Sequence, residues 1–184
     1  AYVLKFNSNC TYSNQVMYVT NILNDENNFS WMFIKGTSIY ILTTTNSGTV
    51  SVYNRFNSLV LTLNPGSNSL LLVKFNIDGT YANWYCTVNS SYGSSVTGDT
   101  NGNLYVTGIK LGTSAQSINV NGSSPASIPG TNFQYTAYVI KFSSSDVYQW
   151  NAYVDGQTFA NRVVPPNEEP GRVFAVATTT GNVY

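Results

Sequence analysis

Three short stretches of this chain are near copies of one another: residues 1–6 (AYVLKF), 70–75 (LLLVKF) and 137–142 (AYVIKF). They begin 69 and 67 residues apart, so the chain repeats itself about every 68 residues. A fixed period of this kind constrains the fold more than any single motif does, because every unit must offer its neighbours the same faces. Each copy is a run of aliphatic, β-branched and aromatic residues ending in Lys-Phe. That pattern predicts a strand buried on both faces, with a lysine near its end that reaches water along its aliphatic stem.

The likeness extends past the first strand. Thr11-Tyr12-Ser13-Asn14 follows one copy and Thr80-Tyr81-Ala82-Asn83 follows the next at the matching offset. An aromatic strand comes after it: Met17-Tyr18-Val19, Trp84-Tyr85-Cys86 and Trp150-Asn151-Ala152-Tyr153. A shorter segment then recurs at residues 30–34, 94–97 and 161–164. It leads into a further strand at residues 39–42 (IYIL), 104–107 (LYVT) and 173–176 (VFAV). Gly48, Gly112 and Gly181 each open another segment, and turn chemistry such as Asp78-Gly79, Asn101-Gly102 and Pro65-Gly66 separates the runs. No window of eleven or more residues has a helical apolar period, so helix is expected to be nearly absent. The units read as residues 1–69, 70–136 and 137–184 of one repeat domain, the last unit incomplete.

Tandem units of four antiparallel strands predict an all-β, propeller-like fold, each unit forming one blade and the blades packing face to face. A β-trefoil, also three repeats of four strands, is the alternative. Propellers close with about four to eight blades, and fewer than three complete units are present here. The chain opens directly in a strand without Met and reads as a processed or excised piece. A ring is then expected to be completed by a longer polypeptide or by further copies, with residues 1–6 available to pair with a strand from a neighbour.

Within the second unit, residues 92–108 read YGSSVTGDTNGNLYVTG. This stretch resembles the bacterial β-propeller repeat called SBBP, whose units carry a Gly-Asn corner before a Leu/Val-Tyr-Val-Thr-Gly strand. In that family an apolar strand ending in Lys-Phe or Lys-Leu, an Asp-x-x-Gly turn and a Trp follow. Residues 137–142 with Trp150 correspond to those parts, as do residues 70–75, Asp78-Gly79 and Trp84. The corner differs in the other units, which have Lys35-Gly36-Thr37-Ser38 and residues 165–171 (PPNEEPG) there. The resemblance implies a propeller with a scaffold or surface role and brings no catalytic residues.

The chain has no histidine and two cysteines, which removes Ser-His-Asp and Cys-His catalysis, His-ligated zinc and Cys-only zinc sites. No cofactor is expected. The acids Asp25, Glu26, Asp78, Asp99, Asp146, Asp155, Glu168 and Glu169 lie mostly in turns, and solvated loop carboxylates account for them better than a glycosidase pair. Asp99 to Asn103 alternates oxygen ligands as short calcium loops do, but a hairpin corner is the simpler reading. Cys10 and Cys86 occupy non-equivalent places in successive units and read as separate thiols rather than a disulfide.

Charged residues make up 9% of the chain, eight acids against eight bases. Phosphate affinity needs clustered Lys and Arg, so no nucleic-acid partner is expected. No apolar stretch is long enough to span a bilayer as a helix. Polarity comes instead from Asn, Ser, Thr and 14 Tyr, a composition suited to an extracellular, cell-surface or virion-surface protein. The expected role is non-enzymatic: structural or surface display, with further copies or other subunits as partners. The alternative is a glycan-binding module, for which Tyr92, Phe133 and Tyr135 are the candidate loop aromatics. Trp84 and Trp150 are expected in the core. Sequons at Asn9, Asn28, Asn89 and Asn121 are candidate glycosylation sites, should the protein pass through a secretory route. Residues 54–69 and 112–136 are expected as loops that meet partners.

Overall fold

A computed structural model describes residues 2–6, 8–10, 12–20, 30–46, 48–131 and 134–154. Among these, all regular structure is β. The strands in chain order are β1 (Tyr2–Phe6), β2 (Tyr12–Val19), β3 (Trp31–Lys35), β4 (Ser38–Thr45), β5 (Val50–Tyr53), β6 (Leu59–Leu63) and β7 (Ser69–Asn76). They continue as β8 (Tyr81–Val88), β9 (Ser91–Gly98), β10 (Leu104–Leu111), β11 (Gln116–Val120), β12 (Ser123–Ile128), β13 (Tyr135–Phe142) and β14 (Tyr148–Val154). The expectations for the third unit beyond β14, at residues 161–164 and 173–176 and at Gly181, lie outside the described residues.

The strands form three antiparallel sheets. The first has the order β1-β2-β5-β6, the middle one β12-β11-β8-β7-β4-β3, and the third β14-β13-β10-β9. Unit and sheet therefore do not coincide, which corrects the expectation of one blade per unit. The middle sheet takes β3 and β4 from the first unit and the other four strands from the second. In the third sheet, β9 and β10 of the second unit join β13 and β14 of the third. The first strand of each later unit closes against the fourth strand of the unit before it: β4 with β7 and β10 with β13. No barrel closes among the described residues, so the trefoil alternative is not met.

Local chemistry explains the hairpins. The β1–β2, β7–β8 and β13–β14 turns each place a residue of positive φ four positions after the Phe of the Lys-Phe pair: Cys10 (63°), Gly79 (86°) and Asp146 (64°). In two of them the same bonds close the turn. Asn76 N donates to Thr80 O and Gly79 N to Asn76 O; Ser143 N donates to Val147 O and Asp146 N to Ser143 O. This is a tight turn followed by one left-handed residue, a common way to keep two strands twisted together. The ladder slips at the Lys-Phe step in the second and third hairpins and between Leu4 and Phe6 in the first, so the repeat extends to the bulge.

Residues 54–69 and 112–136, expected as loops, contain strands instead: β6 in the first, β11 and β12 in the second. The β11–β12 turn is Asn121-Gly122 with φ of 49° and 83°, the left-handed pair that a two-residue hairpin requires. β5–β6 adds to β2, and β11–β12 adds to β8, at matching places in their sheets.

The sheets stack, and the alternation of β7 distributes its side chains between two cores. Leu71, Val73 and Phe75 join Met17, Val19, Val50 and Val52 of the first sheet. Leu70 and Leu72 turn the other way, to Val106, Tyr138, Ile140 and Phe142 of the third sheet. The expected burial on both faces follows from this sandwiching. Each large apolar side chain so enclosed contributes about 1.5–3 kcal/mol. Close approach is needed where Tyr138 lies opposite Gly108 in the β10–β13 ladder. A Cβ on Gly108 would collide with the Tyr138 hydroxyl and stand 2.6 Å from the carbonyl oxygen of Tyr92.

Candidate assembly interface

One polar cluster joins the middle and third sheets. The β13–β14 turn holds Asp146 in a left-handed conformation and drives its side chain against the middle sheet. There Lys74 Nζ donates to Asp146 Oδ2 at 2.5 Å, while Tyr40 Oη and Lys35 Nζ donate to Oδ1 at 2.6 and 3.3 Å. Trp84 Nε1 donates to the backbone carbonyl of Asp146 at 3.1 Å. Four strands of one sheet, β3, β4, β7 and β8, thus converge on one turn of the next. Burial pushes the Asp146 carboxyl upward, but bonds from Lys74 and Tyr40 and the charges of Lys35 and Lys74 outweigh it. The carboxyl is held below its ordinary range. Burial, and then the neighbouring carboxylate, raises the Tyr40 hydroxyl. Each group is engaged by its partners, so the cluster ties the two sheets together.

The aromatic-lysine pairing recurs. Tyr40 lies across from Lys74 in the β4–β7 ladder, and Lys74 Nζ sits 5.6 Å from its ring centroid. Tyr105 lies across from Lys141 in the β10–β13 ladder, with Lys141 Nζ 5.5 Å from its ring. The ring face attracts the ammonium, and the same cross-strand pair recurs in both ladders.

β1 carries the same sequence pattern as β7 and β13 but stands at the end of its sheet, paired with β2. Val3 packs into the core between the first and middle sheets. The other face presents Tyr2, Leu4 and Phe6, exposed by 71, 42 and 56%. Their counterparts by repeat position are Leu71, Val73 and Phe75 in β7 and Tyr138, Ile140 and Phe142 in β13, all buried where sheets stack. An exposed apolar row whose equivalents are twice buried is one of the apolar surface features of the described residues, beside Trp31, Met32 and Ile34 on β3.

The residues singled out from sequence fall elsewhere. Tyr92 lies in β9 and Tyr135 in β13, both half-buried in strands rather than on exposed loops, because the ladders to β10 extend to both ends. Phe133 and Asn28 lie outside the described residues. Asn9 is exposed in the β1–β2 turn, and Asn89 is half-buried beside the β8–β9 turn. Asn121 is exposed at its hairpin tip, where its Oδ1 accepts from Tyr85 N. Trp84 is in the core as expected; Trp150 is half-buried and meets the Tyr105 ring edge-on. Cys10 is exposed and Cys86 buried, two free thiols.

Asp78 and Asp99 are turn residues. Asp78 Oδ1 accepts from the backbone and hydroxyl of Thr80, which hold its carboxyl low. Asp99 accepts from Asn103 N, Asn103 Nδ2 and Tyr105 Oη, the bonds of a hairpin corner. Asp25, Glu26, Asp155, Glu168 and Glu169 lie outside the described residues. Among the described residues no cluster of three His, Cys, Asp or Glu is placed to hold a metal. Asp146 is the residue that sequence reasoning misplaced among solvated loop acids. Its position four after Phe142, matching Gly79, marks the turn, but only the stacked sheet reveals its partners. Comparison with protein-family models and with curated proteins finds no match to this chain.

Proposed function

We propose that this chain is a non-enzymatic structural module of propeller-like type, displayed outside a cell or on a virion, that acts by protein–protein assembly. The observation that carries this reading is the outward row Tyr2, Leu4 and Phe6, built like faces that are buried elsewhere in the same chain. The low charge and the resemblance to SBBP repeats support it, as does the engagement of Asp146 in holding sheets together. Light scattering on the purified chain across a concentration series tests the role. Assembly beyond a monomer supports it, and a monomer at every concentration overturns it.

A second reading, glycan binding, is favoured by one groove between the first and middle sheets. Its lining includes the Tyr85 ring and the amides of Asn64, Asn89 and Asn119, groups that stack on and hydrogen-bond to sugars. Glycan-array binding that is lost in Tyr85→Ala would establish it; an array without signal removes it.

A further inference from the structure

We infer that the groove between the first and middle sheets takes a single neutral hexopyranose ring, the uncharged terminal sugar of a glycan. This rests on the glycan-binding reading and deepens it by naming the ligand and its contacts. The observation behind it is one buried hydroxyl. Thr87 on β8 is only 5% exposed. Every other buried Ser or Thr hydroxyl of the described residues is hydrogen-bonded, from Thr43 with Ser30 and Thr44 with the Gly93 amide to Thr131 with Thr136. Among the described residues Thr87 Oγ1 has no such bond, and Thr87 lines the groove. A buried polar group is normally satisfied, so a hydroxyl left over at a groove marks a place for a ligand's polar group.

The ladder sets what surrounds that hydroxyl. Cys86 and Val88 enter the core shared with the third sheet, so Tyr85 and Thr87 face the other way. Asn119 of β11 lies directly across from Thr87. Asn64 follows β6 and lines the groove from the first sheet. Its Oδ1 accepts from Thr49 Oγ1 at 2.9 Å, and Asn119 Oδ1 accepts from Ser124 Oγ. Both amide oxygens are thus held by the protein, which leaves both Nδ2 groups as donors for the groove. Two amide donors beside a hydroxyl that donates and accepts match the hydroxyls of a sugar, and the Tyr85 ring offers a surface for its C–H face. No charged side chain lines the groove, so a carboxylated sugar would lose water from its charge without meeting a cation. The groove volume of about 190 Å³ falls below the roughly 300–1,000 Å³ of sites for drug-sized ligands, which limits it to one ring.

The test titrates the full chain, by ligand-observed NMR, with the methyl glycosides of glucose, galactose and mannose and with the matching uronic acids. At least one neutral glycoside should bind, with a Kd on the order of 1 mM. Its uronic acid should bind at least roughly tenfold more weakly. Thr87→Val keeps the side-chain shape and removes the hydroxyl. It should weaken sugar binding roughly tenfold and leave the thermal unfolding midpoint unchanged or higher. Equal binding of a hexose and its uronic acid overturns this ligand. Unchanged binding in Thr87→Val, as for a hydroxyl that meets only water, overturns it too, and a lowered midpoint overturns its premise of an uncommitted hydroxyl. Glycan-array binding lost in Tyr85→Ala, with no single sugar bound, overturns the one-ring site and leaves the glycan reading standing. A chain that binds neither single sugars nor the array overturns both.

Discussion

Lys74 and Asp146, 72 positions apart in the chain, are joined by an ion pair of 2.5 Å that ties the middle sheet to the third. Lys35 and Tyr40 meet the same carboxylate from two other strands. The cluster fixes where the β13–β14 turn rests, and its loss should be felt by the fold as a whole.

Asp146→Asn keeps a side chain that tolerates the left-handed backbone and removes only the charge. Two lysines then face a neutral amide. Because each keeps about a fifth of its side chain exposed, the cost should be about 2–3 kcal/mol, below that of a fully enclosed broken pair. Urea denaturation should record a lower midpoint with an unchanged slope.

The same carboxylate makes stability depend on acid. Its folded-state pKa is depressed, so its contribution is present above the ordinary carboxylate value of about 3.9 and is lost as pH falls through the folded value. Denaturation midpoints between pH 6 and pH 2 should fall more steeply for the natural chain than for Asp146→Asn. The variant keeps a residual slope from Asp78 and Asp99, which are also held low.

Gly108→Ala should destabilise the third sheet by about 1–3 kcal/mol or more, since the new methyl meets both the Tyr138 ring and a backbone oxygen. Tyr138→Phe removes the hydroxyl that approaches Gly108 and also its bond to Ser91 Oγ at 2.5 Å. In the double variant Gly108→Ala/Tyr138→Phe, thermal unfolding should recover part, not all, of the Gly108→Ala loss.

The two cysteines should differ in reactivity. Burial raises the Cys86 thiol to about 12, and it lies in the core between the middle and third sheets, whereas Cys10 sits exposed in a turn. A thiol reagent at pH 8 should modify one cysteine quickly in the native protein and both in urea. Rapid modification of Cys86 without denaturant would contradict its placement.

The sequence carried the period and the strands that bear it, because β7 and β13 are too apolar to lie anywhere but between sheets. It did not carry the phase. Periodicity states how often a pattern returns, whereas pairing β4 with β7 is a choice between distant partners made by packing. The β12 residues SSPASI are polar and contain Pro125, so they carry little strand signal; among the described residues β12 occupies a sheet end, where a proline does no harm to a ladder. Asn121-Gly122 is a two-residue hairpin signal that the sequon reading of Asn121 passes over. Nothing near Asp146 distinguished it from a solvated turn acid, since its partners Lys35, Tyr40 and Lys74 come from other units.

The offset between unit and sheet bears on how such a chain can grow or be cut. Counted from β3 rather than β1, the strands of the middle sheet, β3 to β4, β7 to β8 and β11 to β12, belong to one uninterrupted order interleaved only by β5–β6 and β9–β10. A break between β7 and β8, within one hairpin, would split a sheet through its centre. Insertion of a whole period at any equivalent point instead leaves every ladder with the same kind of neighbour. Gene duplication by full periods, at whatever reading frame of the repeat, would lengthen the stack by one layer without inventing a new contact.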